Sequence, residues 1–436
     1  MMKSTLAKFT EDKNLTELLT GSGLVLFFKM LGMLAGYVFI YLITEYLGIE
    51  SYGIYAICFT VLNIVVVIAK LGLDNASVKS ISAYMKAGSP ENALLYFRKS
   101  FAIVSVSSLV TGAMLYISAG WLAHVFGNNL LENSLKVTAL IVIPNALLQI
   151  QAEKFRGLKK MAWYSFLING SIALLAGGLL ILFTNLYAPS SELSLWSLGV
   201  AISLLWVFIS FIRQFNVKAS AWNSIPYKTM FTLSIPMLLS GSMFLVMSWT
   251  VLLLLGYYLD ETQVAIYHIA FKISAVVSVV LYAINAIASP QFSELYEASQ
   301  HEQLEKLAMQ IAKLNFLLTL PVMLGIVVLS KYILGIFGEE YIIGQTVLLI
   351  LCGGQFFSAI CGSVLTLLNM AGKEKTVRNI IGGTALLNVV LNIIFIQLYG
   401  IDGAAFATFI SLVVWNVLGL IAVKKYFGFV MLPFVR

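Results

Sequence analysis

Lys29 and Lys272 each lie deep within a long apolar stretch, and no acidic residue lies at comparable depth in either stretch. An ammonium group held in hydrocarbon costs roughly 3 kcal/mol or more, so such a residue faces a partner or a wet cavity. His268 precedes Lys272 by one helical turn on the same face, and Ala265, Ala275 and Val279 continue that stripe. The result is a polar pair on a small-residue surface, although His268 taken alone reads more simply as a satisfied packing histidine. Lys29 stands about seven residues from the inner end of its stretch, close enough for its side chain to snorkel to the interface instead. Gly32 and Gly36 follow it on the same face, and close helix packing explains that pair equally well. Two inward lysines would make a positive patch that selects an anion, and ammonium groups suit phosphates as point charges. The cargo expected from these residues carries phosphate or pyrophosphate.

The remaining polar residues of the apolar runs are neutral. Asn145 and Gln149, spaced i and i+4 beside Pro144, are candidates for lining a hydrophilic path, as is Asn63. Asn169, Asn285, Asn315, Gln355, Asn388, Asn392 and Asn416 read as interhelical hydrogen-bonding residues. Pro144, Pro236 and Pro321 fall inside the runs, where a missing N–H is expected to kink a helix. The acidic residues sit at run ends, Glu45, Glu50, Asp260 and Glu261 outside and Asp74 and Glu153 inside. Asp74 and Glu45 are the candidates for coupling to a proton or sodium gradient. Cys58, Cys352 and Cys361 lie within apolar runs as packing residues, without disulfide or metal spacing. The sequence has no Walker A loop, dinucleotide glycine pattern, zinc motif or nucleophile elbow, so neither ATP hydrolysis nor a bound cofactor is expected.

The elements that position these residues follow from composition. Of 436 residues, 60% are hydrophobic and 11% charged, with a mean hydropathy of +0.93. Soluble domains carry about 25% charged residues, so a soluble enzyme is excluded. With about 20 residues per bilayer crossing, runs long enough to span fall at about 22–44, 53–72, 99–119, 135–153, 163–184 and 194–212, then at about 229–257, 263–288, 312–331, 342–369, 378–398 and 403–423. These make twelve spans. Of the 27 Lys and Arg, 23 fall on one side of the resulting topology, which places both termini in the cytoplasm by the positive-inside rule. The segment Met1–Thr20 then reads as a cytoplasmic leader to an uncleaved first helix. The outer loops are too short to house an enzymatic domain, whereas the inner stretches Tyr84–Arg98 and Leu295–Gln310 are longer, polar and partly helical in expectation.

A shift of about 212 residues lays Tyr46-Leu47 on Tyr258-Leu259, Ile54-Tyr55 on Ile266-Tyr267, Ile57 on Ile269, Phe59 on Phe271, Ala76-Ser77 on Ala288-Ser289 and Tyr84 on Tyr296. Six spans preserve the orientation of the second copy. The expected fold is therefore an all-α polytopic membrane protein of two six-helix lobes related by a pseudo-twofold along the membrane normal, with a cavity between them. Residues 1–21 form the cytoplasmic N-terminal segment, 22–212 the N-lobe, 213–228 the inter-lobe linker, 229–423 the C-lobe and 424–436 the cytoplasmic tail.

Several short motifs carry a family resemblance across the whole chain. They are Phe28-Lys29-Met30-Leu31-Gly32, Leu47-Gly48-Ile49-Glu50-Ser51-Tyr52-Gly53-Ile54-Tyr55, Leu71-Gly72-Leu73-Asp74, Phe155-Arg156-Gly157, Asn369-Met370-Ala371-Gly372-Lys373 and Tyr399-Gly400-Ile401-Asp402-Gly403-Ala404-Ala405. The sequence resembles the polysaccharide transporter branch of the multidrug/oligosaccharidyl-lipid/polysaccharide (MOP) exporter superfamily, which includes Wzx-type O-antigen flippases. The resemblance implies an undecaprenyl-pyrophosphate-linked oligosaccharide moved across the bacterial inner membrane by alternating access. Lys29 and Lys272 match the family's cationic cavity positions, and a glycan polymerase and chain-length regulator of the same pathway are the implied partners. A cation-coupled multidrug exporter is the alternative within the superfamily, disfavoured because no Asp or Glu lies deep. A membrane glycan polymerase or ligase is disfavoured by the short outer loops and the lack of paired carboxylates.

Overall fold

Gly48 and Gly400 decide the course of the two longest helical stretches. Helix α1 (Lys13–Lys70) runs for 58 residues and is broken only at Gly48, with φ 85° and ψ 171°. Its counterpart near the C-terminus, Glu374–Phe427, runs for 54 residues and is broken at Gly400, with φ 57° and ψ −135°. Side chains other than glycine avoid this backbone region. On an unbroken helix Phe39 and Tyr55 would stand about 24 Å apart, yet their ring centroids are 5.7 Å apart. Asn388 and Ser411 would be separated by about 35 Å, yet Asn388 Nδ2 donates to Ser411 Oγ at 3.0 Å. Both stretches are therefore helical hairpins. Each falls where the sequence places a short outer turn.

The structure, a computed structural model, describes residues 13–158, 160–170 and 225–433. Among these, every regular element is helical. After α1 come α2 (Leu73–Lys86), α3 (Pro90–Val125), α4 (Leu130–Gly157) and the short α5 (Met161–Ser165), which continues as one π-helical turn to Gly170. Then follow α6 (Tyr227–Tyr258), α7 (Glu261–Glu297), α8 (His301–Val328), α9 (Ser330–Gly335), α10 (Gln345–Cys361), α11 (Val364–Met370) and α12 (Glu374–Phe427). Seven helical segments among the described residues are long and apolar enough to cross a membrane, and the two hairpins are among them. The run expected at about 194–212, and residues 171–184 of that at about 163–184, lie outside the described residues.

The polar stretches 84–98 and 295–310 are largely helical. α2 continues to Lys86, and α3 begins at Pro90, where a missing N–H costs nothing. α7 ends at Glu297 and α8 begins at His301. At the other end of α7, Asp260 caps the helix by accepting from the Gln263 amide at 2.8 Å.

The chain divides into two compact units, Met1–Ser242 and Met243–Arg436, so the division falls within α6. In the first, Phe39, Tyr52, Tyr55, Ile57 and Leu62 are buried, with Tyr55 stacked on Phe59 at 5.6 Å. In the second, the residues equivalent under the shift, Tyr267 and Ile269, are buried in the same way, and Tyr267 stacks on Phe271 at 6.3 Å. The C-terminal tail turns at Gly428 and seats Phe429 and Met431 against Phe292, Leu304, Ala312, Val364 and Leu368. Polarity is inverted relative to a soluble globule. Ile117, Trp121, Val328 and Leu386 are exposed, while Asn315, Asn388, Asn392 and Asn416 are buried.

Close helix approach fixes the second hairpin. A methyl group at Gly403 would collide with the Phe395 carbonyl oxygen, whereas one at Gly383 would meet nothing within 4 Å. Gly403→Ala is expected to destabilise the protein by about 1–3 kcal/mol, read as a lower melting temperature and a smaller monodisperse fraction on size-exclusion chromatography. Gly383→Ala should leave both unchanged.

Candidate functional site

Tyr267 sets the rotation of α7. Its hydroxyl shares a hydrogen bond of 3.1 Å with Thr408 Oγ1 on the second arm of α12, and its ring stacks on Phe271. With that face pinned, His268 and Lys272, one turn apart, present the neighbouring face. His268 is buried and Lys272 half-buried. Lys272 lies at the middle of the candidate span Glu261–Asn285. The hydroxyls of Ser274 and Ser278 are turned back onto the Phe271 and Ala275 carbonyls, at 2.8 and 2.7 Å. The acidic residues of α7 stand at its two ends, Glu261 at the start and Glu294 and Glu297 in the last turn.

Lys29 lies on the first arm of α1, but its side chain falls outside the described residues. A Cβ added at Gly36 meets nothing within 4 Å, so among the described residues no neighbour packs closely on that glycine.

The neutral polar candidates are engaged locally. Gln149 Nε2 donates to Asn145 Oδ1 at 2.8 Å, which makes the pair one unit on α4, with Asn145 buried. Asn63 Nδ2 donates to the Phe59 carbonyl one turn back at 2.7 Å. Glu45 is exposed near the turn of the first hairpin. Asp74, in the first turn of α2, pairs with Lys70 at 2.8 Å.

Asp74 belongs to a polar knot at the ends of α1 and α4 that charge counting alone did not reveal. Arg156 contacts Glu153 at 2.8 Å and donates to Asn75 Oδ1 at 2.8 Å. Its guanidinium also lies 5.3 Å from the Tyr164 ring centroid. Lys154 is buried with its ammonium 5.0 Å from the Phe97 ring and 4.9 Å from the Phe155 ring. Lys99, only 1% exposed, donates to the Ile225 carbonyl at 2.7 Å and lies 4.3 Å from the Tyr227 ring. The sequence counts Lys99 and Lys154 with the cytoplasmic loop charges. Phe155, next to Lys154 in the chain, is the sequence signal that Lys154 is packed, whereas the ring that Lys99 meets, Tyr227, is distant in sequence.

The second unit holds a further polar ladder. Thr384, Asn388 and Asn392 recur every four residues on the first arm of α12 and are all nearly inaccessible. Asn388 bonds Ser411, Asn392 Nδ2 donates to the Asn388 carbonyl, and Asn416 Nδ2 donates to the Leu412 carbonyl. One bond of this ladder, Asn388 to Ser411, joins the two arms of α12 as expected of membrane packing, and the other two turn back within one arm.

These residues lie in a helical fold whose described segments include seven long and apolar enough to cross a membrane. Among solved structures, an inward-facing multidrug resistance MATE family transporter of the MOP superfamily superposes with a TM-score of 0.75 at 16% identity, covering 91% of this chain and 94% of that one. The lipid II flippase MurJ in an inward closed conformation superposes with a TM-score of 0.75 at 17% identity, covering 93% and 87%. The fold is thus that of the MOP superfamily. The chain belongs to the polysaccharide biosynthesis protein family, whose sequence pattern matches residues 43–343. The probable low-salt glycan biosynthesis flippase Agl15 of Haloferax volcanii is 27% identical over 379 residues, spanning 85% of this chain and 76% of the relative.

Asp74 gives this site a pH signature. Burial pushes its carboxyl up, but the charge and hydrogen bond of Lys70, the Asn75 amide and the charge of Arg156 together hold it below its ordinary value. A carboxyl depressed on folding contributes stability above its unfolded pKa and loses it as pH falls through the folded one. The melting-temperature gap between the wild type and Asp74→Asn should therefore be constant from neutral pH to about pH 5 and close below about pH 4. A gap that persists unchanged at about pH 3 would mean that charge contributes nothing here.

Proposed function

We propose that this chain is a flippase that moves a lipid-linked oligosaccharide across a membrane, and that Lys272, at the middle of the candidate span within α7, attracts the phosphate of its head group. The observation that carries the reading is the position of Lys272, half-buried at mid-span with His268 one turn away. A cation at that depth needs a compensating negative charge during its working cycle, and a diphosphate supplies one. Family membership and the Agl15 relationship support the glycan part of the reading. The chain is a multi-pass transporter, not an enzyme.

In its finer form, the cargo is an undecaprenyl-pyrophosphate-linked surface-glycan repeat unit such as an O-antigen unit. Twelve spans in two lobes, residues 22–212 and 229–423, lie in a bacterial inner membrane with both termini in the cytoplasm. Lys29 on α1 contributes a second ammonium, and Asn145 with Gln149 offers amide groups to the sugar. The lipid tail stays in the bilayer while the head group crosses by alternating access. A polymerase and a chain-length regulator take up the product.

Lys272→Gln and Lys29→Gln, each expressed in cells lacking their own flippase, test the reading through surface glycan. Loss of about tenfold or more is expected for Lys272→Gln at normal protein level, the effect of about 1.4 kcal/mol of lost attraction. Lys306→Gln, which breaks an exposed pair with Glu302, serves as the control and should retain full activity. Full activity of both mid-span variants would remove the anion site.

A further inference from the structure

The start and the end of α12 bring basic side chains together at one end of the second unit. Lys373, Lys375 and Arg378 stand where its first arm begins, and Lys424 and Lys425 where its second arm stops. The arms are tied to each other there. The Thr376 and Tyr426 hydroxyls share a hydrogen bond of 3.0 Å, and the Lys373 ammonium lies 4.9 Å from the Tyr426 ring centroid. Val377, Ile380, Ala422 and Val423 are turned into the core of the unit, and Lys375, Arg378, Lys424 and Lys425 are exposed.

Ion pairing does not account for these cations. Elsewhere Lys70, Lys136, Arg156 and Lys306 each have a carboxylate partner, whereas among the described residues none of Lys375, Arg378, Lys424 and Lys425 is in an ion pair. Charge is also sorted at this end of the unit. The Phe427 ring meets that of Tyr296 at 6.0 Å, which sets the corner between α7 and α8 beside the end of α12. That corner is acidic, with Glu294, Glu297 and Glu302 exposed, Glu305 half-buried and Lys306 bound to Glu302. A preference of basic residues for one side of a membrane does not separate charges within that side.

Counted from the turn at Gly400, the four exposed cations lie about 33–38 Å along the arms. That is just past a hydrocarbon core about 30 Å thick and within the headgroup layer. Each arm also carries an exposed apolar row beneath its cations. Lys375 shares the face of Leu386, Val390 and Ile393, and Lys424 and Lys425 continue the row of Val417, Leu418 and Ile421. Tyr426, an amphipathic ring suited to the interface, is exposed between the two groups of cations.

We propose that this end of α12 binds the headgroup of an anionic phospholipid of the bilayer, whose acyl chains lie along the exposed rows of the two arms. The lysines meet the headgroup phosphate as point charges, and Arg378 can meet it with two parallel hydrogen bonds. Clusters of four or more Lys and Arg beside a span attract anionic lipid, with about fivefold in affinity for each residue near the surface. A zwitterionic lipid lacks the net charge, and a soluble anion lacks the apolar part that the rows receive. The site goes beyond the flippase reading and does not rest on it, and neither Lys29 nor Lys272 takes part.

Native mass spectrometry of the purified full-length protein tests the site, with phosphatidylglycerol and phosphatidylcholine of identical chains added separately and no glycan lipid present. The wild type should bind phosphatidylglycerol about tenfold or more tightly. Lys375→Gln, Arg378→Gln, Lys424→Gln and Lys425→Gln combined should bring the two lipids to within about twofold of each other, while Lys375→Arg, Lys424→Arg and Lys425→Arg combined should keep the preference. If the fourfold glutamine variant does not fold, Lys424→Gln with Lys425→Gln should weaken the preference severalfold. Lys79→Gln with Lys86→Gln, which removes two exposed cations from α2, should leave it unchanged, as should Lys272→Gln. Equal binding of the two lipids by the wild type would overturn the proposal, as would a preference kept by the folded fourfold variant or lost in Lys272→Gln. Displacement of phosphatidylglycerol by excess inorganic phosphate would assign the cluster to soluble anions and overturn it. Polyprenyl pyrophosphate binding more tightly than phosphatidylglycerol through the same four residues would assign it to the cargo and overturn it as well.

Discussion

Hydrocarbon offers no water to complete a hydrogen bond or solvate a charge, and that constraint acts on the polar side chains within the apolar spans. Most meet it locally. Asn63, Asn392 and Asn416 turn back onto carbonyls one helical turn away, and Gln149 closes on Asn145. Other groups meet it across helices, as when Tyr267 reaches Thr408 and Asn388 reaches Ser411. Lys272 brings a charge to mid-span, where burial is costlier than for a neutral amide or hydroxyl. In the proposed function, attraction of an anionic head group offsets part of that cost.

Helix geometry serves the same end. Tyr267 fixes α7 in rotation, and that setting determines what His268 and Lys272 face. The hairpins at Gly48 and Gly400 allow long apolar arms to pair without an outer domain. In the first unit, charged residues at the ends of α1 and α4 are tied into contacts instead of being left to the solvent. Lys99 joins α3 to the carbonyl just before α6, and Arg156 joins α4 to α2.

Much of this fold can be read in the chain. Hydropathy located the apolar arms and the short connections between them, and the structure places the breaks at Gly48 and Gly400 within those connections. The shift of about 212 residues paired Tyr55 with Tyr267 and Ile57 with Ile269, and all four are buried. What stayed hidden depends on partners, which hydropathy does not register. A count of loop charges treats Lys99 and Lys154 like any other cytoplasmic lysine, although both are packed against aromatic rings. The run at 342–369 reads as one span because Gly362 is a single residue among apolar ones, and only its backbone angles reveal the break. Asn315 looked like the other asparagines, and its lack of a partner among the described residues emerges only in three dimensions.

Binding in nanodiscs measures the central claim most directly. The purified protein would be presented with one polyprenol and one oligosaccharide, joined either through pyrophosphate or through an uncharged linker. The account predicts that the charged lipid binds about tenfold or more tightly and that Lys272→Gln removes most of that preference while leaving binding of the neutral lipid unchanged. Equal affinity of the wild type for the two lipids would contradict it.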